Sequence, residues 1–351
     1  MKNNTAPEKI NEAEKAETLS DLFNRFVRES GELFPALEGS ILLMDVADYK
    51  VYGLYGLDRD KVKASDTQLL GYLGAHPTSV YLRKHPEESS RASYDPWSGA
   101  SIIFFNDKID PEVAKIATEK ANERTLHLLD HELGHLAIED GMYDNPQSPQ
   151  GLLGENIADA YALLRHYQRF GTSKECFDKY VSPFARASSL IFSGDATHFT
   201  TFTLQAISNA RNALKIDNID AATTARMARD YARFFTPKPE TVKKLKAAFK
   251  PVKDTWEKDR DTGLQKLIDV TLDPANDIEV FRTGETWLRP YLKGSVTFPD
   301  GTTPALSYFE TKTLERKLDE RMFRLARAAK MARKQEPHRP GQPTLRRFPS
   351  P

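Results

Sequence analysis

The chain has 351 residues, with 50 basic and 50 acidic side chains and therefore a formal net charge of zero. This balance weighs against a dedicated nucleic-acid binder, which needs a basic excess to displace counterions from phosphates. The single cysteine, Cys176, excludes an internal disulfide framework and any metal site built from several cysteines, and no apolar run approaches the roughly 18 residues of a membrane helix.

The first part of the chain has the pattern of a helix followed by a small sheet. Polar residues predict a flexible N-terminus over residues 1–19, and apolar residues at spacings of three and four then predict a helix from about Leu19. Short runs rich in β-forming residues, separated by Gly, Pro and Ser, predict a twisted sheet. These runs are residues 40–44, 49–57, 79–82 and 101–105.

From about residue 110 the pattern becomes helical. Residues 110–112 combine a cap acceptor, a proline at the first helical position and an acid in the first turn, and this helix is predicted to reach about Glu139. Residues 284–296 are predicted to form a short hairpin or an extended segment, and the basic, proline-rich tail 335–351 to be disordered. Further helices are predicted at 155–170, 175–191, 200–214, 220–235, 239–268 and 311–334. The sequence therefore predicts an α+β fold.

One predicted helix carries the pattern H-E-x-x-H, at His131, Glu132 and His135. Residues four apart on an α-helix lie on the same side, so the two imidazoles can converge on one metal ion. Glu132 projects from the same side at a different angle and can reach a water bound to that metal. Zinc lowers the pKa of such a water to about 7, and a carboxylate beside it can take its proton.

A second pair of acids follows on the next predicted helix. Glu155 comes 20 residues after His135, and Asp159 lies one turn further on. Glu155 could supply the third protein ligand that a catalytic zinc ion requires, and Asp159 could hold the second ring nitrogen of a ligating histidine. The alternatives are an ordinary acid near a helix N-terminus for Glu155 and an ion pair with Arg165 or another surface base for Asp159.

These residues resemble the gluzincins, the thermolysin-like zinc peptidases. In that family an H-E-x-x-H helix is followed at this distance by E-x-x-x-D, as it is here. The resemblance implies that His131, His135 and Glu155 bind one zinc ion per chain. It also implies that Glu132 is the general base and that Asp159 orients a ligating histidine.

The resemblance spans residues 101–170 and implies a strand before the active-site helix whose exposed edge pairs with the substrate backbone. Residues Ile102–Phe105 lie where that strand is expected, so a peptide or protein substrate is predicted to bind along this edge. Members of the family also carry a downstream His and a loop Tyr that stabilise the oxyanion. His198 and Tyr143 are the candidates here, and neither lies at the family's spacing.

The fold expected from this resemblance is a zincin-like catalytic domain over residues 20–215, with a small twisted sheet and the active-site helices. A mostly helical C-terminal region is predicted over residues 216–334. The flexible N-terminus, 1–19, and the tail, 335–351, flank these two regions.

The predicted function is that of a zinc-dependent metallopeptidase, which hydrolyses peptide bonds with a zinc-bound water activated by Glu132. Two alternatives stay open. One is a catalytically silent interaction module in which zinc holds two helices together. The other is an effector protease that is exported without a leader and acts on one host protein.

The start of the chain is charged and lacks the apolar stretch of a secretory signal peptide. This predicts a cytoplasmic protein, with export without a cleavable signal peptide as the alternative. Neither nucleic acid nor a membrane is expected as a partner.

Overall fold

The computed structural model describes residues 17–106, 118–142, 145, 148–171, 182–216, 219–294 and 305–335. The chain divides into two compact units, Met1–Leu129 and Asp130–Pro351, and the division falls inside a helix. The described residues contain a four-stranded mixed sheet in the first unit and 12 α-helices in all, most of them in the second. The predicted α+β fold class is confirmed.

The sheet of the first unit has the order β2-β1-β4-β3. Strands β1 and β4 pair in parallel, and the two outer pairs are antiparallel. The strands are β1 Ile41–Asp45, β2 Lys50–Tyr52, β3 Ser90–Asp95 and β4 Ala100–Phe105. Every residue of β1 and β4 is buried, which explains why both read as continuous apolar runs rather than alternating ones.

Helices cover both faces of this sheet. Helix α1, Leu19–Leu33, packs Phe23 against Tyr52 and Phe105, with ring centroids 5.1 and 5.4 Å apart. On the opposite face, α2, Asp66–Ala75, and α3, Pro77–Lys84, add their leucines to a core with alternate residues of β1 and β4.

In this unit two sequence predictions are wrong and one strand was missed. Residues Ile102–Phe105 do not form an edge strand, because β4 is hydrogen-bonded to β1 on one side and to β3 on the other. Residues 79–82 are helical, because Pro77 starts α3 and the His76 ring accepts a hydrogen bond from the backbone of Thr78. Strand β3 was not predicted, because its half-exposed residues are mostly polar.

The described part of the second unit is helical. Its helices are α4 Thr118–Ala137, which spans the division, α5 Pro149–Phe170, α6 Pro183–Ser188, α7 Thr201–Ala210, α8 Ala221–Phe235, α9 Pro239–Trp256, α10 Arg260–Leu272, α11 Ile278–Leu292 and α12 Tyr308–Gln335. A π-helical turn, Ser189–Ser193, continues α6. The core of this unit centres on Trp287, which contacts Phe184, Phe192, Trp256 and Tyr291.

Two predictions about the helices are corrected. Residues 239–268 form two helices rather than one, because Asp259 caps the start of α10. Residues 284–292 are helical rather than extended or part of a hairpin, since α11 continues to Leu292, and residues 295 and 296 lie outside the described part of the chain. Gly284 is required inside α11 because a Cβ there would lie 2.0 Å from Oγ1 of Thr271 on α10.

Several predictions concern parts of the chain outside the described residues. These are the helix start at 110–112, Tyr143, Cys176, all but the last three residues of the N-terminal segment 1–19, and the tail beyond residue 335. No helix in the described part of the chain is both long enough and apolar enough to cross a lipid bilayer.

Candidate metal centre

Two helices of the second unit carry the predicted ligands. His131 and His135 lie one turn apart on α4, and Glu155 lies on α5. Helix α5 starts at Ser148, whose side chain accepts a hydrogen bond from the backbone of Gly151, and Pro149 occupies its first position. Glu155 is 3% exposed on this helix. A carboxylate so deeply buried requires a charged or hydrogen-bonding partner.

The ligand atoms of these three residues all lie within 4.8 Å of one another. The Nε2 atoms of His131 and His135 are 3.1 Å apart. The Glu155 carboxylate lies 3.5 Å from Nε2 of His131 and 3.8 Å from Nε2 of His135. Tetrahedral zinc with bonds of about 2.0–2.1 Å places its ligand atoms roughly 3.4 Å apart. The three residues could therefore hold one metal ion, and their separations are close to those of a tetrahedral site.

The opposite ring nitrogens determine which tautomers are present. Nδ1 of His131 donates to Oδ1 of Asp159 at 2.7 Å, and Nδ1 of His135 donates to the carbonyl oxygen of Gly141 at 2.9 Å. A carboxylate and a carbonyl can only accept, so Nδ1 of each ring carries a proton. The two Nε2 atoms then face each other, and either a shared cation or a proton on one of them makes this approach favourable.

Three carboxylates are buried around this point. Glu132, Glu155 and Asp159 are 6%, 3% and 0% exposed, and Arg186 donates to Asp159. A bound cation would stabilise such buried carboxylates. Burial alone would lower the pKa of His131, but Asp159, Glu155 and Glu132 raise it to about 9. The surroundings of the imidazole thus stabilise positive charge.

Asp159 is the most strongly held group of the centre. Besides His131, its carboxylate accepts two hydrogen bonds of 2.8 Å from Arg186 and one from the hydroxyl of Thr200. Burial disfavours the charged form, but Arg186 and His131 outweigh it and hold the pKa of Asp159 well below its usual range. Of the bases considered as ion-pair partners, Arg165 donates to Gln168 instead. The base that pairs with Asp159 is Arg186, which is largely buried.

His198 lies at the edge of the centre. Its Nε2 is 3.7 Å from Oε1 of Glu155, and its Nδ1 is bonded to Oδ2 of Asp195 at 3.1 Å. The hydrogen bond from His198 lowers the pKa of Asp195 to about 2. Burial lowers the pKa of His198, but the bond to Asp195 and the charge of Glu155 outweigh it and raise that pKa. The His198 side chain remains 42% exposed, so it can contact a ligand from solvent.

The backbone before His198 is unusual. The π-helical turn Ser189–Ser193 ends at Gly194, which has a φ of +70°. The amide of Asp195 then donates back to the carbonyl of Ser189 at 3.2 Å. Such π-helical turns occur frequently at functional sites, and this one brings Asp195 and His198 to the metal centre.

Two glycines allow α4 and its C-terminal turn to take the required positions. A Cβ on Gly134 would lie 2.9 Å from Cα of Ala158 on α5, so the two helices could not approach as closely with any other residue. A Cβ on Gly141 would lie 2.6 Å from the carbonyl oxygen of Gly134. The turn at Gly141 places its own carbonyl against the His135 ring.

Comparison of the chain with protein-family models, with curated proteins and with solved structures gave no match. The assignment of a candidate metal centre therefore rests on the geometry of its residues alone. It is a buried His-His-Glu group at the H-x-x-x-H spacing, which is consistent with a zincin-like site and can hold one metal ion.

The structure brings together most of the predicted site residues. His131, His135 and Glu155 converge, and Asp159 and His198 contact members of this group. Glu132 lies buried beside His131 on α4, and Tyr143 is outside the described residues. Arg186, Thr200 and Asp195 were not predicted. Asp195 lies three residues before His198, a spacing that could have been noticed, whereas no local signal links Arg186 or Thr200 to Asp159.

Proposed function

We propose that this chain is a zinc-dependent metallopeptidase. The observation that carries the proposal is the convergence of two Nδ1-protonated imidazoles and one buried carboxylate at 3.1–3.8 Å, the separations that a tetrahedral zinc ion requires. Two nitrogen ligands and one carboxylate suit zinc better than magnesium or calcium, which prefer oxygen ligands. Three protein ligands leave one coordination position for substrate or water.

A zinc ion held here would act as a Lewis acid and lower the pKa of water at its open position to about 7. Glu132 follows the first ligand on the same helix and is buried beside it. In the proposed reaction Glu132 takes the proton of the attacking water and passes it to the nitrogen of the leaving amine. Asp159 and the Gly141 carbonyl hold the two imidazoles in the orientation that ligation needs.

His198 is proposed to stabilise the negative charge that develops on the carbonyl oxygen. Asp195 accepts the hydrogen bond from Nδ1 and favours the doubly protonated ring. The second proton is then on Nε2, the atom that faces the centre near Glu155. A donor at this position contributes to catalysis by electrostatic stabilisation of the transition state.

The test is a pair of substitutions, one on α4 and one in the turn that follows it. Glu132→Gln removes the base and keeps the size of the side chain. Glu139→Gln makes the same chemical change at a side chain that is 75% exposed and paired with Arg229. Zinc content is measured by mass spectrometry on the purified protein, and cleavage is measured on a quenched-fluorescent peptide library.

We expect wild type and both variants to bind one zinc ion. Glu139→Gln should cleave at the wild-type rate, whereas Glu132→Gln should lose about 10²- to 10⁴-fold in turnover. Normal cleavage by Glu132→Gln would show that another group is the base. Zinc-loaded wild type that cleaves no peptide would favour the alternative of an interaction module in which zinc joins α4 and α5.

A further inference from the structure

A cleft of about 600 Å³ opens beside the metal centre in the second unit. Three segments line it: the start of α5, the stretch 193–197 that leads to His198, and the start of α9 with the preceding Pro237. Its volume is in the range of pockets that take small-molecule or peptide-sized ligands.

Two walls of the cleft carry residues that adjoin the metal centre. Leu152 lines the cleft and lies one turn before Glu155 on α5. Asp195 lines it from the other wall and is hydrogen-bonded to His198, whose Nε2 is 3.7 Å from Glu155. A chain bound at the metal centre and lying between these walls would enter the cleft.

The third wall is basic. Lys243 and Lys246 lie three residues apart on α9, both line the cleft, and both are exposed. Neither has an ion-pair partner within the described part of the chain, in contrast to Lys244 and Lys250 of the same helix, which pair with Asp277 and Asp254.

A third amino group lies over the wall formed by residues 193–197. Lys253 covers Gly194, since a Cβ built on that glycine would be 3.2 Å from Nζ. The acidic residue that lines the cleft is Asp195, and its carboxylate is engaged by His198. The positive charge of the lysines is therefore available to a ligand.

We propose that this cleft is a subsite for acidic residues of the substrate. Lys243 and Lys246 would bind aspartate or glutamate side chains of a peptide whose scissile bond lies at the metal centre. This assignment rests on the proposed peptidase function and adds the substrate class to it. The lysine head groups are three residues apart on one helix face, a spacing that two nearby carboxylates of one extended chain can match.

The experiment uses full-length Glu132→Gln protein, so that peptide binds without being cleaved. The probes are a coumarin-labelled hexapeptide, Ala-Glu-Glu-Leu-Glu-Ala, and the same peptide with each glutamate replaced by glutamine. Fluorescence anisotropy gives both dissociation constants in 50 mM and 500 mM salt. The measurement is repeated with Lys243→Glu/Lys246→Glu added, with the milder Lys243→Ala/Lys246→Ala, and with Lys250→Glu as the control on the same helix.

We expect the glutamate peptide to bind about 3- to 30-fold more tightly than its glutamine counterpart at low salt, as for two exposed ion pairs. The preference should disappear in high salt and in both double variants, and persist in Lys250→Glu. Equal binding of the two peptides, or a preference that survives both double variants, would overturn the proposal. So would tighter binding of an oligothymidylate of equal charge, which would indicate a nucleic-acid ligand.

The two proposals fail separately. A lysine-dependent preference for the glutamate peptide, combined with no peptide cleavage by zinc-loaded wild type, supports the acidic subsite and contradicts the peptidase function. Cleavage that depends on Glu132 but is equally fast for both peptides, with equal binding, supports the peptidase and overturns the acidic subsite.

Discussion

Arg186 donates two hydrogen bonds of 2.8 Å to Asp159, from Nε to Oδ2 and from Nη2 to Oδ1. The same carboxylate accepts the Nδ1 proton of His131. The guanidinium thus fixes the plane of the carboxylate, and the carboxylate fixes the plane of the ligating imidazole. The orientation of His131 therefore depends on Arg186, which lies 27 positions after Asp159 in the chain.

Asp159→Asn is expected to weaken zinc binding by about 10- to 100-fold, the usual cost of removing a carboxylate that holds a ligating histidine. The amide keeps the size of the side chain but presents an N–H₂ group toward Arg186 or His131, which are themselves donors. Competition with a chromophoric chelator measures the affinity. Asp195→Asn is the control, because Asp195 contacts His198 rather than a predicted ligand. Equal losses in the two variants would contradict the role given to Asp159.

Gly134→Ala is expected to push α4 away from α5, because the new Cβ would lie 2.9 Å from Cα of Ala158. Relief of such a contact in a packed core costs about 1–3 kcal/mol. Both a lower melting temperature and weaker zinc binding should follow, although no ligand is changed.

The control for Gly134→Ala is Gly71→Ala in α2, where a Cβ would have no atom within 4 Å. Alanine at such a helical position should leave stability unchanged or raise it by up to about 1 kcal/mol. Thermal denaturation and the chelator assay compare the two variants. Wild-type zinc affinity in Gly134→Ala would show that the helix spacing does not determine the site.

The parts of the site that were predictable are those with a local cause. The spacing of four between His131 and His135 places both rings on one side of any helix, and the acids at Glu155 and Asp159 repeat that spacing on the next helix. The histidines and the acids come together only because α4 and α5 pack closely at Gly134. The sequence shows that a glycine is present there but not that the helices pack on it.

Other features depend on contacts between distant segments, which a pattern in the sequence does not report. Thr200 reaches Asp159 across 41 positions, and Arg186 across 27. The segment that starts at Gly284 is predicted to be a hairpin or extended, yet it continues α11, where the glycine leaves room for Thr271 on the neighbouring helix. Strand β3 pairs with the edge of β4 that was expected to be exposed. Its residues are mostly polar and have a low preference for β-strands, so the sequence does not predict it. Tertiary packing decides each of these features against the local preference.

Asp95 in the first unit is expected to make stability depend on pH. Its carboxylate accepts hydrogen bonds from the Ser98 amide at 2.7 Å and from the Tyr72 hydroxyl at 2.9 Å. Burial raises the pKa of Asp95, but these bonds and that of the Ser98 hydroxyl outweigh it and lower the pKa below its ordinary value. Because the folded-state pKa is the lower one, the stabilisation is complete above about pH 4 and is lost as the pH falls through the folded-state value.

Asp95→Asn should therefore destabilise the protein by about 1–3 kcal/mol at pH 7. The difference from wild type should shrink below about pH 4, where the wild-type carboxyl is also neutral. Urea unfolding between pH 7 and pH 3, in the presence of a chelator throughout, measures both curves. Asp60→Asn, at an exposed position, serves as the control. A difference that stays constant over this range would mean that the charge of Asp95 does not stabilise the fold.

Zinc is expected to stabilise the helical unit in wild type and not in His135→Ala. A ligand that binds only the folded state adds about 2.7 kcal/mol at a concentration of 100 times its dissociation constant. For a unit of this size that corresponds to a rise of roughly 5–10 °C in melting temperature. Trp256 and Trp287 lie in the core of the same unit, so tryptophan fluorescence reports its unfolding.

Glu132→Gln should keep the full zinc-dependent rise, because Glu132 is assigned to the chemistry and not to ligation. A zinc-dependent rise of equal size in His135→Ala would place the bound metal somewhere other than the His131–His135–Glu155 group.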